Sequence, residues 1–238
     1  MVILRDRNLK NYKNDGAREN EPVSCEGDDG KQYVVKGSSA TCRGLVKEWI
    51  VGHLAKSFGL PIPDFKIAWV DDLLVEYSYF DLEAGYCFAS LYKPNIQEIT
   101  YNQIQKVPQQ LLRDLFIFDY WIQNNDRNLT DKGGNPNFFL DQKTKETCVV
   151  DHNLAFADDF KIDEHKEQHV SSGSWNGLEL IDKEVYTEKF QNALQDIDNI
   201  INDIPEEWLE MYPIDTIRAE ITLVLQKFSD KPFWEDIS

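Results

Sequence analysis

Apolar residues at positions 45, 46, 49, 50, 54 and 58 recur at helical spacing, and Gly59 and Pro61 stop the pattern, so residues 43–58 predict an amphipathic helix. Upstream the texture is strand-like. Val2-Ile3-Leu4 reads as one strand, and residues 22–25 and 32–36 read as hairpin arms joined by the turn Glu26-Gly27-Asp28-Asp29-Gly30. Downstream, residues 65–70 and 73–80 are apolar runs separated by Asp71-Asp72, and residues 86–92 form a third, closed by Lys93-Pro94-Asn95. Helical patterning then takes over. Residues 108–122 predict one long helix with Leu111, Leu112, Leu115, Phe116 and Tyr120 on a broad apolar side. Residues 183–204 and 205–228 predict further helices, with a break near Tyr212-Pro213. The order predicts an α+β chain, with a small β-rich N-terminal lobe over residues 1–93 and a mainly helical C-terminal lobe over residues 94–238.

One stretch of the helical half departs from this pattern. Phe138-Phe139-Leu140 predicts a short strand, Thr147-Cys148-Val149-Val150 its hairpin partner, and residues 142–146 the turn. Asn137 and Asp151 then fall together at one edge of that hairpin, shortly after the loop Asn124-Asn125-Asp126-Arg127-Asn128. A carboxylate, a carboxamide and a second carboxylate in this order are what phosphoryl transfer needs. One Asp sits near the acceptor hydroxyl, and an Asn and another Asp hold Mg²⁺ against the phosphates of ATP. Lys36 ends a predicted strand and Glu48 lies in the helix that follows. That is the order in which a kinase pairs its phosphate-holding Lys with a helix Glu. These positions point to a two-lobed protein-kinase-like fold.

Composition narrows the partners. The net charge of −17 argues against a grip on nucleic acid and against an anionic membrane surface, both of which call for Lys and Arg. The four cysteines (Cys25, Cys42, Cys87, Cys148) are scattered without metal-ligand spacing, as expected of free thiols in a reducing compartment. Charge interrupts the N-terminus before a signal-peptide core forms, and no apolar run approaches a membrane span, so the expected setting is the cytoplasm. His165 and His169 share a helix face, yet no third ligand motif accompanies them, and zinc is not expected.

Tyr33-Val34-Val35-Lys36, the helix bearing Glu48, residues 58–64 (FGLPIPD), Asn124-Asn125-Asp126-Arg127 and Val150-Asp151-His152 together resemble the HipA-like kinases. The likeness covers about residues 20 to 160 and is nearest the compact branch of that family. Asp119-Tyr120, Asn125-Asp126-Arg127 and Asn135-Pro136-Asn137-Phe138 are similar, more distantly, to the type II phosphatidylinositol 4-kinases. Both families imply ATP and Mg²⁺. The resemblance implies that Asp126 orients or deprotonates the acceptor hydroxyl, and that Asp151 binds Mg²⁺ where protein kinases carry Asp-Phe-Gly. Either Asn135 or Asn137 supplies the metal amide; Asn137 is preferred because it directly precedes the strand. Asn128 stands where relatives commonly carry His.

The nucleotide contacts are less distinctive. Residues 15–20 hold a single Gly and match no Gly-rich loop, while Gly37-Ser38-Ser39 reads either as a phosphate nest or as an ordinary turn. Leu91 and Tyr92 occupy the hinge position, where adenine contact and core packing are equal explanations. Arg127 reads either as the partner of a neighbouring carboxylate or as a surface cation. The implied activity is γ-phosphate transfer to a protein Ser or Thr. Because some relatives are toxins of toxin–antitoxin pairs, a small antitoxin or regulatory partner is expected, with no direct contact to nucleic acid or membrane. Two alternatives stand beside this reading: a pseudokinase binding module, and a lipid kinase, against which the acidic balance weighs.

Overall fold

The computed structural model of the chain describes residues 2–6, 23–37, 40–72, 75 and 83–238. The single-Gly segment at 15–20, Ser38, Ser39 and most of the apolar run at 73–80 lie outside them. Asp72 and Val75 are helical, and the rest of the strand expected over 73–80 lies outside the described residues.

Five strands close into a barrel: β1 (Val2–Asp6), β2 (Val23–Gly27), β3 (Gln32–Lys36), β4 (Phe65–Val70) and β5 (Gly85–Leu91), in the order β1-β2-β3-β5-β4. The β2–β3 hairpin forms as its turn residues predict, pairing Cys25 with Tyr33 and Val23 with Val35. Closure comes from a parallel pairing of β1 with β4, Val2 opposite Ala68 and Leu4 opposite Val70, which local patterning did not foretell. Strand alternation sends Tyr33 and Val35 into a barrel core shared with Leu4, Val70, Cys87 and Ala89. Lys36, one residue beyond Val35, faces the other way.

Helix α1 (Cys42–Phe58) begins where Thr41 Oγ1 accepts the Gly44 N–H at 3.1 Å. It ends at Gly59, whose φ of 99° lets its N–H reach back to Ala55 and Lys56. Leu45, Val46, Ile50, Val51, Leu54 and Ala55 are all buried in the larger of two hydrophobic cores. That core is mainly helical, with Phe88, Phe138 and Val149 added from strands.

The second half begins with β6 (Ile96–Glu98), α2 (Tyr101–Ile104) and α3 (Gln109–Trp121). The hairpins β7 (Asn128–Thr130)–β8 (Gly133–Asn135) and β9 (Phe138–Asp141)–β10 (Thr147–Val149) follow. The β9–β10 hairpin forms as predicted, with Leu140 opposite Thr147 and Phe138 opposite Val149; β6 adds a third strand along β9. Next come α4 (Ile162–Gln168), α5 (Asp182–Leu194), α6 (Ile197–Asn202) and α7 (Glu206–Met211). The single helix expected over 183–204 is therefore two, divided at Gln195-Asp196, where the Asp196 side chain accepts from that of Asn199. Tyr212-Pro213 breaks the chain as expected before α8 (Ile214–Ile217), a π turn and the terminal helix α9 (Lys231–Glu235).

Helix α1 packs on α5, α6 and α7, and Trp49 Nε1 donates to Ile200 O at 2.9 Å. Trp208 and Trp234 are buried anchors of the same core. No helix of the described residues is long and apolar enough to cross a membrane.

Candidate active site

Strand β3 and helix α1 meet at an ion pair. Lys36 Nζ lies 3.0 Å from Glu48 Oε2 and 2.7 Å from Asp151 Oδ1. Glu48 is buried and also accepts the His152 backbone N–H at 3.1 Å, so it holds both Lys36 and the residue after Asp151. Burial alone would push the Glu48 carboxyl up; the Lys36 charge outweighs it, with help from His152, and brings it down to about 2. For Lys36, burial works against the charge and the two carboxylates more than restore it, leaving the ammonium favoured. One cation thus joins the barrel, α1 and the turn after β10.

The second cluster surrounds Asp126. Asn137 Nδ2 donates to Asp126 O at 2.9 Å and Oδ2 at 3.3 Å, and Asn135 Nδ2 donates to Asp126 Oδ1 at 2.8 Å. Because all three acceptors are oxygens, the amide nitrogen of Asn137 must face Asp126, which leaves its carbonyl oxygen as the remaining donor to a cation. Asn137 and Asp151 both adopt left-handed backbone, with φ of 44° and 61°. Asn and Asp tolerate that conformation best among side-chain-bearing residues. The Val150 N–H donates to Asn137 O at 3.1 Å, which keeps the two turns adjacent.

A buried frame supports both clusters. Arg127 Nε pairs with Asp119 Oδ2, and the other guanidinium nitrogens donate to the carbonyls of Pro136, Asn137, Val150 and Asp151. Asp119 also accepts from Asn124 Nδ2 at 3.0 Å and lies 2.9 Å from His169 Nε2. Since Ser171 N–H donates to His169 Nδ1, Nε2 is the protonated nitrogen and donates to Asp119. Burial raises the Asp119 carboxyl, but Arg127 and then His169 override it, and it sits well below the usual carboxylate range. Of the two readings open for Arg127, the buried partner of a carboxylate is the one observed. Asp119 and His169 were missed, although a lone carboxylate within Phe116-Ile117-Phe118-Asp119-Tyr120-Trp121 is itself a signal.

Lys36, Glu48 and Asp151 therefore converge, as do Asp126, Asn135 and Asn137, and Arg127 links the two groups. Leu91 and Tyr92 are less available for adenine: their N–H groups donate to Asp64 O at 2.6 Å and Gln32 O at 2.9 Å. An adenine contact at these residues rests on carbonyl oxygens or side chains. Ser38 and Ser39, the other nucleotide contacts expected, lie outside the described residues.

The donor set fits Mg²⁺. Asp151 offers a carboxylate and Asn137 a carboxamide oxygen, both hard donors. Among the described residues, no three His, Cys, Asp or Glu side chains form a self-sufficient metal cage. That suits a cation that takes one or two protein oxygens and completes its shell with phosphate and water.

A β-barrel carrying a Lys–Glu ion pair, followed by an Asp–Asn–Asp constellation in a helical half, marks a kinase. The sequence model of the HipA-like kinases matches residues 12–237, and the chain belongs to that family. Among solved structures the fold is similar to that of the Helicobacter pylori proinflammatory kinase CtkA, with a TM-score of 0.51 at 11% sequence identity. The alignment covers 89% of this chain and 92% of that one. No curated protein matched the sequence.

Proposed function

We propose that the protein is an ATP- and Mg²⁺-dependent kinase that transfers the γ-phosphate to a Ser or Thr hydroxyl of a protein acceptor. The observation that carries this reading is the position of Lys36 Nζ, 3.0 Å from Glu48 and 2.7 Å from Asp151. It is the arrangement in which one ammonium serves the phosphates while a helix Glu fixes it and a metal-binding Asp stands beside it.

In this reading Asp126 accepts the hydrogen bond of the acceptor hydroxyl and takes up its proton as the new phosphate ester forms. Lys36 binds phosphate oxygens, oriented by Glu48. Asn137 and Asp151 hold Mg²⁺, which when bound supplies neutralisation of the phosphate charge. Residues 1–93 serve as the nucleotide-binding lobe, with Ser38 and Ser39 as candidate phosphate contacts and Leu91 and Tyr92 as candidate adenine contacts, and residues 94–238 carry the catalytic loop. A protein acceptor is favoured over a lipid by the net charge of −17, which repels anionic membranes. The same balance favours a cytoplasmic enzyme without direct nucleic-acid contact, and the toxins among HipA-like relatives make a small antitoxin or regulatory protein the natural partner.

The test is label transfer from γ-labelled ATP with Mg²⁺, to the protein itself and to lysate proteins, for wild type, Asp126→Ala and Asp151→Ala. Label with wild type and none with either variant is expected. Nucleotide binding without transfer would instead favour a pseudokinase, and no binding at all would end the kinase reading.

A further inference from the structure

The hairpin inserted between Asp126 and Asn137 brings a third residue to the reacting carboxylate. β7 and β8 pair Asn128 with Asn135 and Thr130 with Gly133, and the Asn135 N–H donates to Asn128 Oδ1 at 3.1 Å. This register holds Asn135 Nδ2 2.8 Å from Asp126 Oδ1, while Asn137 Nδ2 meets Oδ2 at 3.3 Å. Each carboxylate oxygen therefore has its own amide donor. On the kinase reading above, we propose that Asn135 is a positioning residue: it fixes the orientation of the Asp126 carboxylate for the acceptor hydroxyl and does not ligate the metal.

Both amides turn their nitrogen toward Asp126, so placement decides: the Val150 N–H and Arg127 hold Asn137 O beside the turn that bears Asp151, whereas Asn135 sits on the exposed β8 arm. An ionised carboxylate has about four lone-pair sites, so two amide bonds still leave room for an acceptor hydroxyl. Asp126 would otherwise rotate about its side-chain bonds, and a reacting group that is not held in place loses the advantage of orientation.

The placement of Asn135 is built into the hairpin. A Cβ on Gly134 would stand 2.3 Å from Asn128 O, a backbone atom, so the arm approaches this closely only because residue 134 is glycine. The base of the hairpin is tied to the buried frame, since Asn128 bridges to His169 and the Val170 N–H donates to Arg127 O at 3.0 Å. Asn128 thus supplies the acceptor that sets Asn135.

The test uses the full chain and steady-state transfer from ATP, with Asn135→Asp, Asn135→Ala and Gly134→Ala compared with wild type and Asp126→Ala. Asn135→Asp is nearly isosteric and keeps the oxygen donors but loses the N–H. If Asn135 positions Asp126, Asp is no better than Ala, and both lower kcat by about 10- to 100-fold while KM for ATP and the Mg²⁺ half-saturation stay within about twofold. Gly134→Ala lowers kcat in the same way by moving the arm. Asn135 is exposed, so the two Asn135 variants should melt with wild type, which the same preparations can verify. Wild-type kcat in Asn135→Asp overturns the proposal, as does a Mg²⁺ half-saturation raised more than about fivefold in Asn135→Ala. A wild type that transfers no more phosphate than Asp126→Ala removes the kinase reading itself, and the role of Asn135 with it.

Discussion

Arg127 and Asp119 face each other 2.6 Å apart, Nε to Oδ2, and neither side chain has any solvent exposure. The pair ties the end of α3 to the loop that carries Asp126. The remaining guanidinium donors run on to Asn137 O at 2.7 Å and Val150 O at 3.1 Å. One side chain thereby sets the relative position of the two turns that bear Asn137 and Asp151. Its planar fork is what makes this possible, because a Lys ammonium cannot serve four carbonyls and a carboxylate from a single plane.

Arg127→Lys and Arg127→Met should each destabilise the protein by about 3–5 kcal/mol, because either leaves a buried carboxylate without its matched cation. Urea unfolding measures this directly. Adding Asp119→Asn to Arg127→Met should restore part of the loss, since the double variant no longer buries an isolated charge. Single variants within about 0.5 kcal/mol of wild type would place the pair among inconsequential contacts.

Acid should weaken the fold well above the carboxylate range. His165 is buried with Nε2 3.1 Å from Phe116 O, and burial, followed by neighbouring His169, brings its imidazole from 6.5 down to about 3. An unfolded chain takes up this proton near 6.5 while the folded chain resists it to about 3. The stabilisation is therefore whole above 6.5 and is lost as pH falls through that window, at no more than about 1.4 kcal/mol per pH unit. His169, lowered chiefly by burial against the pull of Asp119, acts in the same direction. Below 4.5, Glu48 adds its own loss as it approaches protonation at about 2. Wild type should melt lower at about pH 5 than at about pH 7, and His165→Gln should flatten that dependence; parallel curves for the two proteins would count against it.

Much of this arrangement was legible before any coordinates. Lys36, Glu48, Asp126, Asn137 and Asp151 sit on elements that local pattern predicts well: a strand end, a long helix, and a hairpin bounded by turn residues. The HipA-like resemblance built on these motifs is matched by the family assignment over residues 12–237. What escaped was non-local. The β1–β4 pairing joins strands some sixty residues apart, and nothing in either strand names its partner. Asp119 and His169 meet across fifty residues. Asn128 and Gly134 likewise turn the loop between Asp126 and Asn137 into a hairpin aimed at Asp126, a contact that local pattern does not name.

Lys36 and Glu48 should separate function from folding. Lys36→Met removes the charge that the proposed reaction assigns to the phosphates and leaves buried Glu48 without its cation. Both the transfer rate, by about 10²–10³-fold, and stability should fall. Adding Glu48→Gln to Lys36→Met should recover stability without recovering transfer. Calorimetry beside the label assay would show it, and a double variant that regained activity would remove Lys36 from the phosphate-binding role.

Asp151→Asn offers the cleanest test of the metal site, because Asn keeps the left-handed backbone that position 151 requires, at φ 61°, and changes only the charge. Lys36 retains Glu48 as a partner, so the fold should stand. With the carboxylate gone, the Mg²⁺ contribution to nucleotide binding should go too: ATP should bind this variant no more tightly with Mg²⁺ than with EDTA, whereas wild type should show a clear difference. Asn137→Gly should behave alike, since glycine preserves the φ of 44° but supplies no oxygen. Asn137→Ala adds backbone strain and should also melt lower. Titration calorimetry of all three would decide, and a persistent Mg²⁺ dependence in Asp151→Asn would mean that the cation is held elsewhere.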